Sequence, residues 1–154
     1  MKRIDNFSSE EQTCINIGEK ILTEIAPLKR HLERLAAVKR RIVSKMTALE
    51  YRRAKLSKAP GNGCKPRGTS TLPSVEMCRL MDELGAIEEE IIATELKLNR
   101  ILNAIWEMPT ERYRDILLKK YVINSVLSDN ERKLRQRYLK SAYLEFFRIY
   151  YSRV

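Results

Sequence analysis

The chain has 154 residues, 44% of them hydrophobic and 32% charged, with a formal net charge of +10; it can bury a core, but a narrow one, as between long helices. No apolar run approaches the ~20 residues of a membrane span, and the polar, acidic start "MKRIDNFSSEEQ" is unlike a signal peptide, so a cytosolic protein without membrane contact is expected. Cys14, Cys64 and Cys78 are far apart and His31 is the one histidine, which points to reduced thiols and away from a zinc site.

Five Gly and five Pro are present, and several cluster in "APGNGCKPRG" (Ala59 to Gly68). The rest is nearly free of breakers, which favours an all-α fold. Charge is distributed in blocks. Residues 29–58 carry eleven Lys/Arg against two Glu, residues 76–107 three against eight acids, and residues 108–154 eleven against five.

The first element is a helix from about residue 10 to 58. Ser8 or Ser9, with Glu11 or Gln12 three residues on, offers a capping signal. Ile21, Leu28, Leu35, Ile42, Leu49 and Leu56 recur every seven residues, with Ile25, Leu32 and Met46 in a companion row. Spacings of three and four put both rows on one stripe. Pro27 removes a backbone donor and predicts a kink. After the loop, about 59–73, Ser74 is the expected N-cap of a second helix. Its stripe runs Met77, Leu80, Leu84, Ile87, Ile91, Thr94, Leu98, Ile101, Ile105. Gly85 lies beside that stripe and suggests close approach of the facing helix.

Folding the two helices about a hinge near Pro66 sets Leu49 against Leu84, Ile42 against Ile91, Leu35 against Leu98 and Leu28 against Ile105. The basic flank of the first helix then meets the acidic "DELGAIEEE" of the second. The expected architecture is a long antiparallel, coiled-coil-like hairpin over 1–107, followed by a small helical module over 108–154.

In that module, Thr110 is the expected cap of a short helix ending near Ile123. Ser128 with Glu131 forms a capping box for a final helix. The first half of this helix carries Arg132, Lys133, Arg135, Arg137 and Lys140, candidates for nucleic-acid contact. Arg40, Arg41, Arg52 and Arg53 of the first long helix are secondary candidates, and its flank is otherwise read as a solvated coiled-coil surface. The second half, "YLEFFRIYY", is apolar nearly all round. Tyr143, Phe146, Phe147, Tyr150 and Tyr151 are expected in the core or at a partner or dimer interface. No glycine-rich phosphate loop, Ser-His or Cys-His pairing is present, the Glu88-Glu89-Glu90 run spreads around its helix, and His31 lies in a basic helical stretch where a solvated side chain is expected. No catalytic, cofactor or metal site is expected.

The hairpin arm "ELGAIEEEIIATELKLNRILNAI" followed by "RYRDILLKKYV" resembles small phage and prophage transcriptional regulators of the RinA/ArpU type, over about residues 15–123. The resemblance implies a C-terminal helix-turn-helix similar to region four of bacterial sigma factors. It further implies a DNA-binding regulator of late phage genes in a bacterial host cytoplasm, acting with RNA polymerase. Beyond Tyr121 the chain reads "VINSVLSDNERKLRQRYLKSAYLEFF", without glycine at either turn of that motif. Two readings follow. One is a non-enzymatic, DNA-binding transcriptional regulator, possibly a homodimer. The alternative is a phage-encoded inhibitor, such as an anti-CRISPR or polymerase-binding protein, that uses its basic helices on RNA, an acidic protein or a host nucleoprotein complex and its aromatic end as anchor.

Overall fold

The computed structural model describes residues 6–57, 74–124 and 126–152, and every regular element among them is helical. Five α-helices follow one another: α1 (Ser9–Leu22), α2 (Ile25–Ser57), α3 (Val75–Trp106), α4 (Glu111–Leu117) and α5 (Asp129–Ser152). A π-helical segment, Leu118–Ile123, continues α4. The fold is thus all-α, with a long bent helix, its antiparallel partner and a small C-terminal module. The Gly/Pro cluster, Cys64 and Pro66 lie outside the described residues.

The long N-terminal helix is interrupted rather than merely kinked. The break falls at Thr23 and Glu24, four residues before Pro27. In an unbroken helix residue 27 would donate to the Thr23 carbonyl; proline has no donor, and its ring crowds that carbonyl. Thr23 N–H instead closes onto Glu19 O and Ile21 O, and Leu28 N–H donates to Glu24 O at 3.0 Å, so the helix resumes at once. At the other end of α1, Ser8 and Glu11 form a complete capping box, with bonds of 3.1 and 3.2 Å.

Two compact units emerge, Met1–Arg30 with Glu95–Val154, and His31–Thr94. The boundary expected at 107/108 lies inside the first. That unit holds the best-packed core, with Ile15, Leu22, Ile25, Ile101, Ile105, Met108, Leu117 and Phe146 fully buried. Each contributes about 1.5–3 kcal/mol. Here α1 packs on α5, and α4 packs on α5. The α1–α5 approach is very close at Gly18, where a Cβ would sit 2.9 Å from Tyr143 O. Gly18 therefore has the role that the sequence suggests for Gly85, whose Cβ would meet nothing within 4 Å.

The second unit is a pair of antiparallel helical stretches from α2 and α3. Leu35, Ile42, Met77 and Leu80 are buried. Ser74 Oγ accepts the Met77 N–H at 3.1 Å, the expected cap. His31 Nε2 lies 2.8 Å from Glu90 Oε1, and Lys39 Nζ 3.8 Å from Glu88 Oε1. His31 is thus paired, not simply solvated. A hinge near Pro66 would have set His31 against Leu102 and Lys39 against Thr94; the observed partners precede those positions by twelve and six residues. Long side chains span about a turn, so the seam is displaced by roughly one heptad from the drawn register.

Candidate nucleic-acid interface

The turn into α5 is built locally. Asn124 ends the π segment with φ 51°, ψ 39°, the left-handed conformation that asparagine tolerates better than most residues. Lys29 Nζ donates to Val122 O at 3.4 Å, placing a cation on the terminal carbonyls of that segment. Leu127 is buried, and Ser128 Oγ accepts the Glu131 N–H at 3.3 Å as α5 begins.

From there Arg132, Lys133, Gln136, Arg137 and Lys140 are all exposed. Their spacings of one, three and four place them on one side of α5, over about 12 Å of its length. The stripe stops at Tyr143, on the same side of the helix, because Gly18 of α1 packs there. Arg135 points elsewhere; it is half-buried. With Glu111, Arg112, Asp115, Ile116, Lys119, Leu127, Glu131 and Leu134 it lines a cleft of about 350 Å³ between α4 and α5. Its rim carries three acids and three bases and so selects no charge sign.

Sequence reasoning missed two contributors. Arg112 lies 4.9 Å and Arg137 5.4 Å from the Tyr138 ring, and the Tyr113 ring is 6.3 Å from it. Tyr138 is half-buried, so stacking on the ring holds both guanidinium groups near the basic stripe. An Arg at 112 and a Tyr twenty-six residues later give no local signal of this.

The second contributor is a polar cluster beneath the helix. Lys120 Nζ donates to the Tyr143 hydroxyl at 3.0 Å, and the Tyr121 and Tyr143 hydroxyls share a hydrogen bond. Burial, then the Arg135 charge, lower the Lys120 pKa, while Glu19 opposes the shift. Burial raises the Tyr121 and Tyr143 hydroxyls, Tyr143 further through its bond to Tyr121. The wider π turn brings Lys120 and Tyr121 to the same side, toward α5.

The aromatic end divides. Tyr143 and Phe146 are buried, at 2% and 0% exposure, and so are unavailable to a partner. A helix apolar on several sides must be covered on several sides, and other parts of the same chain, α1 among them, do the covering. Phe147 and Tyr150 are half-buried, Tyr150 beneath the Arg100 guanidinium at 4.3 Å; Tyr151 is exposed. Thr110 is also reassigned. Its side chain makes no cap bond; its Oγ donates to Glu145 Oε2 at 2.6 Å and its N–H to Oε1 at 3.0 Å, tying the start of α4 to α5.

Arg40, Arg41, Arg52 and Arg53 are exposed on α2, in the second unit. Among the described residues no group of three or more His, Cys, Asp or Glu is placed to hold a metal ion, and no helix is long and apolar enough to cross a membrane. Cys14 and Cys78 are free thiols.

No protein-family model, curated protein or solved structure matches this chain.

Proposed function

We propose that the chain is a DNA-binding transcriptional regulator of the phage type, contacting the duplex through the first half of α5. One observation carries the reading. Arg132, Lys133, Arg137 and Lys140 stand exposed on one side of a helix that follows a turn, with Gln136 among them. Such a helix side fits a major groove, its Arg/Lys reaching phosphates and base edges and its Gln a base edge. Arg112, stacked on Tyr138, is a further phosphate contact at the edge of the stripe. The resemblance of residues 15–123 to phage regulators supports DNA over RNA and RNA polymerase as the protein partner. The inhibitor reading loses support because Tyr143 and Phe146, two of its five anchors, are spent internally.

The test is a gel-shift titration on duplexes from the gene's own neighbourhood at several salt concentrations. Selective binding is expected, with log affinity falling linearly in log salt. Arg132→Ala with Arg137→Ala lowers the slope by about two if both reach phosphates. Unchanged slope and affinity in that variant rule out this face. Absence of duplex binding above background rules out the regulator and makes capture of a host nucleoprotein the next measurement.

A further inference from the structure

The second compact unit, His31–Thr94, leaves one broad side uncovered. On α2, Val43, Thr47, Tyr51 and Ala54 form a line at helical spacing, all exposed, Val43 by 42% and Tyr51 by 67%. On α3, Cys78, Met81, Gly85 and Ile92 form a second line, also all exposed, Met81 by 51% and Ile92 by 57%. These lines stand apart from the seam residues Ile42, Leu35, Met77 and Leu80, which are buried.

Both lines run on the same side of the hairpin. Lys39, one turn before Val43, pairs with Glu88, one turn before Ile92. That ion pair bridges the two helices along the edge next to both lines. His31–Glu90 occupies the opposite edge, since His31 and Glu90 fall on the other side of their respective stripes.

Gly85 lies in the middle of the α3 line, inside a 32-residue helix. Nothing in the chain uses the space beside it. Glycine there weakens the helix without an intramolecular return, and its position among exposed Met81 and Ile92 suits the close approach of another helix.

Charge identifies that helix. Residues 31–57 of α2 carry eight Lys/Arg against two Glu, and residues 75–94 of α3 one Arg against six acids. A surface of one acidic and one basic helix, side by side and antiparallel, is complementary to itself under a two-fold rotation. The basic helix of one copy lies on the acidic helix of the other, in both directions at once. We propose that this face joins two copies of the chain in an antiparallel four-helix bundle, with α2 of each on α3 of the other and Gly85 at a point of closest approach. The dimer interface is therefore on the hairpin and not on the aromatic end of α5. The proposal does not depend on the DNA-binding reading.

Sedimentation velocity of the full chain across a dilution series, at low and high salt, tests it. A species of twice the 18.1 kDa chain mass is expected, dissociating more readily as salt rises. Gly85→Leu is the diagnostic change, because the chain itself has room for the side chain and leucine favours the helix. It should raise the dimer dissociation constant at least tenfold with helicity and melting of the monomer preserved. Ile92→Lys, at an exposed site, should do the same. A chain that stays monomeric up to about 100 µM, well above ordinary µM affinities, overturns the proposal. So does a dimer that both substitutions leave intact.

Discussion

Glu145 joins the start of α4 to α5 through two hydrogen bonds from one residue, Thr110. Replacing it by alanine leaves the Thr110 N–H and hydroxyl without their acceptor in a half-buried site. Hydrogen bonds to charged groups contribute about 1.5–3 kcal/mol each, but these two share one carboxylate near solvent, so about 2 kcal/mol is expected in total. For a chain of this size that is a fall in Tm of about 4–8 °C. Glu145→Gln keeps one acceptor and should lose about half as much. Thr110→Val removes the hydroxyl alone at nearly constant shape, for about 1 kcal/mol. Urea unfolding of the two single variants and the double variant closes a cycle, with an expected coupling of about 1 kcal/mol. A coupling below about 0.3 kcal/mol, the usual scatter for independent sites, would refute the tie. So would a full loss in Glu145→Gln equal to that in Glu145→Ala with Thr110→Val neutral.

At Gly18, even an alanine Cβ would press on the Tyr143 carbonyl, so Gly18→Leu should destabilise the chain by at least about 3 kcal/mol through overpacking, read by thermal melting; retention of parental Tm would contradict the close α1–α5 contact. Tyr121 and Tyr143 keep their protons above the ordinary value of 10.0 in the folded chain, so the stability they contribute is complete below pH 10 and is lost as pH climbs through their raised values. Tyrosinate absorbance should show two of the seven tyrosines ionising late, and Tyr143→Phe should leave fewer late ones; a single common transition for all seven excludes the cluster. Lys120 has the opposite sign: with its folded pKa below the ordinary 10.5, its destabilising effect is full at neutral pH and lifts as pH rises toward that value, so the stability difference between Lys120→Met and the parent should change in that window and stay flat below it.

The helical class and the helix starts at Ser8, Ser74 and Ser128 could be read from sequence because caps and apolar periods are local signals. The seam register could not. A heptad stripe set one heptad off still places apolar against apolar, and only flanking charges such as Lys39 and Glu88 distinguish the choices. Pro27 is visible, but its effect falls on residue 23, where the missing bond would have ended. The roles of Gly18 and Gly85 were exchanged for a similar reason: both lie in helices, and only the three-dimensional neighbour distinguishes a packed glycine from an open one. For the candidate site, the basic half of α5 was legible as a row of Arg and Lys, whereas the stacking of Arg112 on Tyr138 depends on how α4 returns against α5.

The first compact unit is made of two stretches that lie far apart in the chain, with residues 31–94 inserted between them. On the ribosome this imposes an order. The hairpin between α2 and α3 has all its own partners once residue 94 has emerged. α1 does not, because α5, on which it packs, is the last helix made. At about 5–20 residues per second, Ile15 and Leu22 wait on the order of 10–30 s before Phe146 exists to complete their core. During that interval α1 is an unpartnered amphipathic segment, exposed to chaperones and to other nascent chains. A stall or truncation before α5 would therefore yield a folded hairpin carrying a bare apolar helix, the form of this chain most prone to aggregate.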